Sequence, residues 1–332
     1  MKTIAIIGAT GNQGLSVAKT FLSLGDWTVR CLTRNPSSPV AQDLASKGAV
    51  IIQADLADVA SLRSAFDGAH VVFSNTDFWG PYAACGDSLQ AYNTEVQHGK
   101  NAALAAAEIP TLERFVYSLL GPMKKHSQGK YSNSYHWDAK AEIKEYIDTA
   151  LPELAAKTSY IILGAYTTNP LFIPRWDESV NKYRFVVPLK EDCKMPIVAT
   201  TESTGPFVRA LIEEAPRTNL LAYDSCLDMR EVVDLWKKVT GVEADLVSLT
   251  PAEMHASFKI PWEVLDGPAF IQEYGYTAGI ENVIHPRQLR NPPQTDSFED
   301  WLRKRDWEEV VSGGKKELSW VVRSSSGQGV SQ

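Results

Sequence analysis

Two groups of residues in the first 34 positions have the types and spacing to hold a phosphorylated dinucleotide. Gly8-Ala9-Thr10-Gly11-Asn12-Gln13-Gly14 follow the apolar run Ile4-Ala5-Ile6-Ile7 and precede Leu15, Val17, Ala18, Phe21 and Leu22 at helical spacing. A buried strand, a glycine turn and a helix in that order let backbone amides approach a pyrophosphate. The helix start adds unpaired N–H groups and a partial positive charge. Thr10, Asn12 and Gln13 belong to the same turn and join its glycines as expected contacts. The second group closes the next strand, Thr28-Val29-Arg30-Cys31-Leu32-Thr33-Arg34. Its end falls about 20 residues beyond the last glycine, where a carboxylate would take a ribose 2′-hydroxyl. Here Arg34 stands, followed by Asn35, Ser37 and Ser38. A guanidinium grips a 2′-phosphate through two hydrogen bonds, so the expected cofactor is NADP(H) rather than NAD(H).

The elements that must position these groups alternate through the first 163 residues. Strand runs at Ala49–Ala54, Val71–Phe73, Arg114–Tyr117 and Thr158–Leu163 are separated by helical runs near Val59–Phe66, Ser88–Ala107 and Trp137–Ala150. Such alternation predicts an α/β fold, a Rossmann-type doubly wound parallel sheet. Ligands gather at the C-terminal strand ends of such sheets, which draws attention to Asp55, Asn75, Ser118 and the loop after Leu163.

After residue 163 the pattern loosens. Pro170, Pro174, Pro188 and Pro196 interrupt it, and Tyr166, Phe172, Trp176, Tyr183 and Phe185 crowd it with aromatics. The expectation is a smaller, irregular C-terminal substrate domain over residues 164–323. Segments at about 203–240 return to the main sheet or its flank: a helix through Phe207–Glu213, a strand at Asn219–Tyr223 and a helix at Met229–Thr240. A further helical region is expected from Val247–Pro251, a helix cap at Asp296-Ser297-Phe298-Glu299, and a flexible tail over 324–332.

Composition excludes several classes. The net charge of −7 and a sequence pI near 5.5 lack the basic footprint of a nucleic-acid binder. No apolar run reaches membrane-spanning length, and Met1-Lys2-Thr3 does not open a signal peptide. Cys31, Cys85, Cys193 and Cys226 form no C-x-x-C pair, and the six histidines show no H-E-x-x-H arrangement. A cytoplasmic protein without a disulfide framework or metal site is expected.

The opening motif, Arg34 and His136-Trp137-Asp138-Ala139-Lys140 together resemble the NmrA-like family. This is a branch of the atypical short-chain dehydrogenase/reductase superfamily, related to isoflavone-reductase-like enzymes. Further matching pieces are Ala54-Asp55-Leu56 with Ser61-Leu62, Asn75-Thr76-Asp77-Phe78-Trp79, Arg114–Ser118, and Gly164-Ala165-Tyr166 with Asn169. The resemblance implies an NADP-binding Rossmann domain in which Thr76, Phe78 and Asn169 join the cofactor contacts. It also implies that Lys140 meets the nicotinamide ribose and lowers the cost of charge on a nearby proton donor. The wider superfamily places a tyrosine four residues before that lysine. Here position 136 is His, and Tyr135 is one residue out of register. The expected donors are therefore His136, Lys140 itself or Tyr166, with His136 suited to proton transfer near neutrality.

Trp79, Tyr82, Tyr135 and Trp262 are expected to wall a substrate pocket, with Phe258 and Trp262 as a lid; a planar or apolar substrate suits such walls. Members of the family include reductases and regulators that sense the NADP/NADPH ratio. The first expectation is a reductase of a small aromatic or polyketide-like carbonyl, imine or enone. The alternatives are a non-catalytic sensor with a protein partner, and a non-redox lyase or isomerase on the same fold.

Overall fold

The apolar runs of the N-terminal half become the interior of a wholly parallel sheet. The structure, a computed structural model, describes residues 1–307. Its first strands are β1 (Lys2–Ile6), β2 (Trp27–Thr33), β3 (Val50–Gln53), β4 (Val71–Ser74), β5 (Arg114–Ser118) and β6 (Thr158–Leu163). Between them run α1 (Asn12–Leu24), α2 (Pro39–Ser46), α3 (Val59–Phe66), α4 (Trp79–Cys85), α5 (Ser88–Ala107), α6 (Met123–His126), α7 (Tyr135–Ala150) and α8 (Pro152–Ala155). The later strands are β7 (Ala165–Tyr166), β8 (Arg175–Asp177), β9 (Lys182–Val187), β10 (Met195–Val198), β11 (Asn219–Ala222), β12 (Ser225–Leu227), β13 (Ala244–Ser248) and β14 (Val283–Ile284). They are interleaved with α9 (Thr200–Glu213), α10 (Met229–Thr240), α11 (Pro251–Phe258), α12 (Trp262–Tyr274) and α13 (Phe298–Arg303).

The main sheet has the order β14-β11-β6-β5-β4-β1-β2-β3. Its direction of winding reverses between β1 and β4, which opens a crevice above their C-terminal ends. Helices α1 and α9 cover one face, over a core that includes Ile4, Ile6, Phe21, Phe73 and Phe207. Helices α3, α5 and α7 cover the other, over Val72, Phe115, Tyr117, Ile143 and Ile162. Close helix approach holds both layers. A Cβ on Gly205 would come within 2.3 Å of the Ser16 carbonyl oxygen, and one on Gly99 within 2.3 Å of Ile143 Cδ1. Both sites need a hydrogen where other residues carry a side chain.

The remaining strands form two small sheets, β12-β10-β7 and β13-β9-β8, around a third core with Trp137, Phe185, Trp236, Phe270 and Phe298. Helix α10 belongs here. Its Trp236 ring lies 5.7 Å from Phe185 and 5.9 Å from Tyr183, so the expected place of 229–240 beside the main sheet is corrected. The apolar stripe of that helix was legible, but not which sheet would cover it. Residues 244–248 are a strand paired with β9, and the helix expected from Val247 starts only at Pro251, after a Thr250–Glu253 capping box. The cap before α13 is Ser297 paired with Asp300, one residue later than the Asp296–Glu299 spacing suggested. Strand β14 was not anticipated: two residues give no period-two signal. The tail at 324–332 lies outside the described residues.

Candidate functional site

The glycine turn has the geometry of an anion cradle. Gly8 takes φ +68°, a left-handed conformation that favours glycine. The Gly11 amide donates to the Gly8 carbonyl at 2.9 Å. A Cβ on Gly14 would lie 2.2 Å from that same oxygen, so only glycine lets α1 start so close to β1. Gly11 caps α1 without a side-chain hydrogen bond, and the first turn carries no acidic residue. The leading amides of α1 are thus left to an incoming anion. Thr10 and Asn12 are half-buried at the rim, and Gln13 is buried.

Arg34 follows β2 and is exposed. With Gln53, Ala54, Asp55, Asp58 and Ser61 it lines a cavity of about 330 Å³. Among the described residues its guanidinium makes no hydrogen bond or ion pair; its backbone carbonyl accepts from Gln53 Nε2 at 3.4 Å. Asp55 does not approach a cation: its Oδ1 accepts from the Ala57 amide at 2.9 Å, which shapes the β3–α3 loop. Half-buried His98 feels Asp55, Arg34, Glu95 and Asp77, and burial lowers its pKa.

Buried polar atoms without partners gather at the neighbouring strand ends. Gln13 Oε1, Ser74 Oγ and Asn75 Oδ1 lack a hydrogen-bond partner among the described residues. An unsatisfied buried polar group costs about 1–3 kcal/mol, and three around the crevice between β1 and β4 fit a polar ligand that supplies the missing contacts. Ser118, at the end of β5, is buried at 3% exposure beside them.

Lys140 is placed on the inner face of α7, but its ammonium is already engaged. Nζ donates to Glu95 Oε1 at 2.8 Å and to the carbonyl and hydroxyl oxygens of Thr76 at 3.1 Å each. A lysine has three protons to donate, and the three are directed at these acceptors. Thr76 Oγ1 donates to Glu95 at 2.6 Å and lies 3.3 Å from the Tyr117 hydroxyl. Burial, then the Glu95 charge, push the Tyr117 pKa well up. Glu95 is fully buried and escaped the sequence reading. Its signal was there: a carboxylate in register with Ala91, Gly99 and Ala102 on the inward stripe of α5.

His136 begins the same helix one turn earlier. Its Nδ1 lies 2.6 Å from Glu263 Oε1, which also accepts from the His136 amide at 3.0 Å. The imidazole is 5.0 Å from the Trp79 ring and 5.8 Å from that of Phe78. Phe78, at 2% exposure, stacks on Tyr82 at 5.7 Å. It therefore forms the floor of this aromatic group rather than an open contact. Trp79 touches both Tyr82, at 5.8 Å, and His136, at 5.0 Å. Tyr135 turns instead toward Tyr92, 5.8 Å away. Trp262 is 39% exposed and packs on His255 at 5.3 Å; the residue beside it, Glu263, reaches the site. No sequence signal marked Glu263.

Two residues beyond β6, Tyr166 in β7 and Asn169 after it, take local roles. Tyr166 accepts a hydrogen bond from Gln13 Nε2 at 2.7 Å, and burial raises its hydroxyl pKa against that bond. Asn169 Oδ1 accepts from the Leu171 amide at 3.0 Å and caps the short 3₁₀ turn Pro170–Phe172.

Asp138 carries a measurable consequence. Burial pushes its carboxyl up to about 6 from 3.8, against a hydrogen bond from the Lys124 amide. The folded chain therefore favours the neutral acid. The stability this contributes is complete below pH 3.8 and disappears as pH rises through 6. Asp138→Asn keeps an acceptor without the charge. Thermal unfolding is expected to show variant and wild type alike at pH 4, with the variant melting a few degrees higher at pH 7.5. An unchanged difference between the two pH values would refute it.

Among the described residues no cluster of His, Cys, Asp and Glu could hold a metal ion, and no helix is long and apolar enough to cross a membrane. The sequence profile of the NmrA-like family matches residues 1–302. The chain is 33% identical over 278 residues to the NmrA-like family domain-containing oxidoreductase FrzB of Cladobotryum sp, covering 79% of this chain and 78% of the relative. Among solved structures, the negative transcriptional regulator NmrA in complex with NADP superposes with a TM-score of 0.70 at 18% identity, over 94% of this chain and 98% of the other. The leucoanthocyanidin reductase–NADPH complex of Vitis vinifera superposes with a TM-score of 0.66 at 17% identity, over 93% and 99%.

Proposed function

This chain belongs to the NmrA-like family, and on that premise we propose that it binds NADP(H) and reduces a small aromatic or polyketide-like carbonyl, imine or enone. One observation carries the cofactor assignment: the uncapped start of α1 and an Arg34 guanidinium that is unpaired among the described residues both follow C-terminal strand ends, β1 and β2, on the same edge of the sheet. The amides of Gly8–Gly14 would hold the pyrophosphate. Arg34, with Ser37 and Ser38, would hold the 2′-phosphate. Asn75, Thr76 and Ser118 would lie under the nicotinamide end, where Ser74 and Asn75 keep unpartnered oxygens. NADPH supplies a hydride when bound. The rings of Trp79 and Tyr82, edge to face at 5.8 Å, offer a planar substrate an aromatic surface, and the His136 imidazole lies 5.0 Å from Trp79. The relative FrzB is itself named an oxidoreductase.

A second reading, a sensor of the NADP/NADPH ratio with a protein partner, is favoured by Lys140, whose donors are spent on the protein. Fluorescence titration with NADPH, followed by absorbance assays against quinones, enones and cyclic imines, separates them. Saturable binding with substrate-dependent oxidation supports the reductase. Binding without turnover, with protease sensitivity that differs between NADP and NADPH, supports the sensor. No binding of either form removes both.

A further inference from the structure

Of the three donors that the sequence leaves open, two are compromised by their surroundings. Lys140 directs its protons at Glu95 and Thr76. Tyr166 lies against Gln13, and burial holds its proton more tightly than usual. His136 differs. Its side chain keeps 17% exposure, while its Nδ1 is tied to a carboxylate that is 3% exposed.

We infer that His136 and Glu263 form a catalytic dyad, with His136 as the proton donor to the reduced substrate and Glu263 as the residue that positions it. The inference rests on the reductase reading and deepens it. Glu263 Oε1 accepts from Nδ1 at 2.6 Å, which sets the neutral ring in its Nδ1–H form and leaves Nε2 without a partner among the described residues. Glu263 Oε2 is buried and has no hydrogen-bond partner among the described residues. Oε1 takes both of its hydrogen bonds from His136, the amide at 3.0 Å and Nδ1 at 2.6 Å, so the carboxylate is held on this one residue.

The proton step balances simply. The substrate double bond takes up a hydride with its electron pair. The electron-rich atom left behind takes the Nε2 proton of the imidazolium. His136 is then neutral with Nδ1–H retained, Glu263 remains a carboxylate, and water returns the proton to Nε2.

The two partners come from different parts of the chain. Around the ion pair, the Ser134 hydroxyl donates to the Glu263 carbonyl at 2.9 Å, and the Asn133 amide donates to Asp266 Oδ2 at 2.8 Å. The dyad therefore exists only where α12 is docked on the start of α7.

The test uses the full chain and three variants: Glu263→Gln, which keeps shape and removes charge; Glu263→Asp, which keeps charge; and His136→Gln. Nitrogen-15 NMR of the histidine side chains, without any substrate, is expected to show neutral His136 protonated on Nδ1. A proton on Nε2 alone would overturn the dyad. In kinetics on whichever quinone, enone or imine the wild type reduces, Glu263→Gln is expected to lose at least tenfold in kcat, with KM and the NADPH Kd within about threefold, and Glu263→Asp to recover much of the loss. Undiminished kcat in Glu263→Gln beside a large loss in His136→Gln overturns the role of Glu263. A wild type that binds NADPH but reduces nothing overturns the reductase reading, and with it the proton step.

Discussion

Replacing Arg34 with Ala is expected to weaken NADPH binding by about 10- to 100-fold and to leave NADH binding within about twofold. Hydrogen bonds to charged groups are worth roughly 1.5–3 kcal/mol, and each 1.4 kcal/mol is a factor of about ten in affinity. The guanidinium is exposed and makes no hydrogen bond or ion pair among the described residues, so removing it costs the fold little and most of the effect falls on the ligand. Asp55 and Asp58 line the same cavity. Two carboxylates beside a 2′-phosphate would repel it if the arginine were absent, which pushes the loss toward the upper end. The contact is also open to salt, so the gap between wild type and variant should narrow as ionic strength rises. Paired titrations with NADPH and NADH at two salt concentrations measure all of this. Equal weakening of both cofactors would assign Arg34 to the fold rather than to the phosphate.

Lys140→Met is expected to be the most damaging single change to stability in the site. It strands the Glu95 carboxylate, fully buried, without its cation. Breaking a buried pair from one side costs about 3–5 kcal/mol, which in a protein of this size lowers Tm by on the order of 10 °C. Removing the other partner as well, in Lys140→Met with Glu95→Leu, should restore most of the loss, because the uncompensated charge goes too. Thermal melts of the single and double variants decide this, and two losses that simply add would sink it. Loss of turnover in a Lys140 single variant therefore cannot be read as catalysis. Turnover measured in the double variant reports what the ammonium contributes to the reaction.

Much of the Rossmann half was legible because its signals are local. Apolar runs such as Val71–Phe73 and Thr158–Leu163, bounded by turns, state their own strand boundaries. Gly8, Gly11 and Gly14 state a backbone conformation, and Gly14 shows why: no other residue fits beneath the Gly8 carbonyl. Position was legible where one residue type stands at a strand end, as with Arg34, which lies exposed beside a cavity. It was not legible where function depends on pairing across the chain. Glu263 is 127 positions from His136 and sits in the first turn of a helix with weak apolar periodicity and an internal Pro268, so nothing nearby distinguishes it from a surface carboxylate. Lys140 was found, but its engagement with Glu95 depends on how α5 and α7 cross, which periodicity does not set. The aromatics divided in the same way. Trp79 and Tyr82 lie just beyond the end of β4 and pack on each other and on Phe78, while Trp262 packs on His255.

The late return of β11 and β14 to the main sheet has a consequence for how the chain is made. As it leaves the ribosome, the first 163 residues can assemble six strands, but β6 then ends as a bare edge of apolar residues buried in the finished sheet. Its partner β11 emerges some 56 residues later, and the last strand only with Val283–Ile284. Until then that edge is a template for pairing with other nascent chains. A fragment cut at residue 163 should accordingly aggregate when expressed alone, however complete its nucleotide-binding turn.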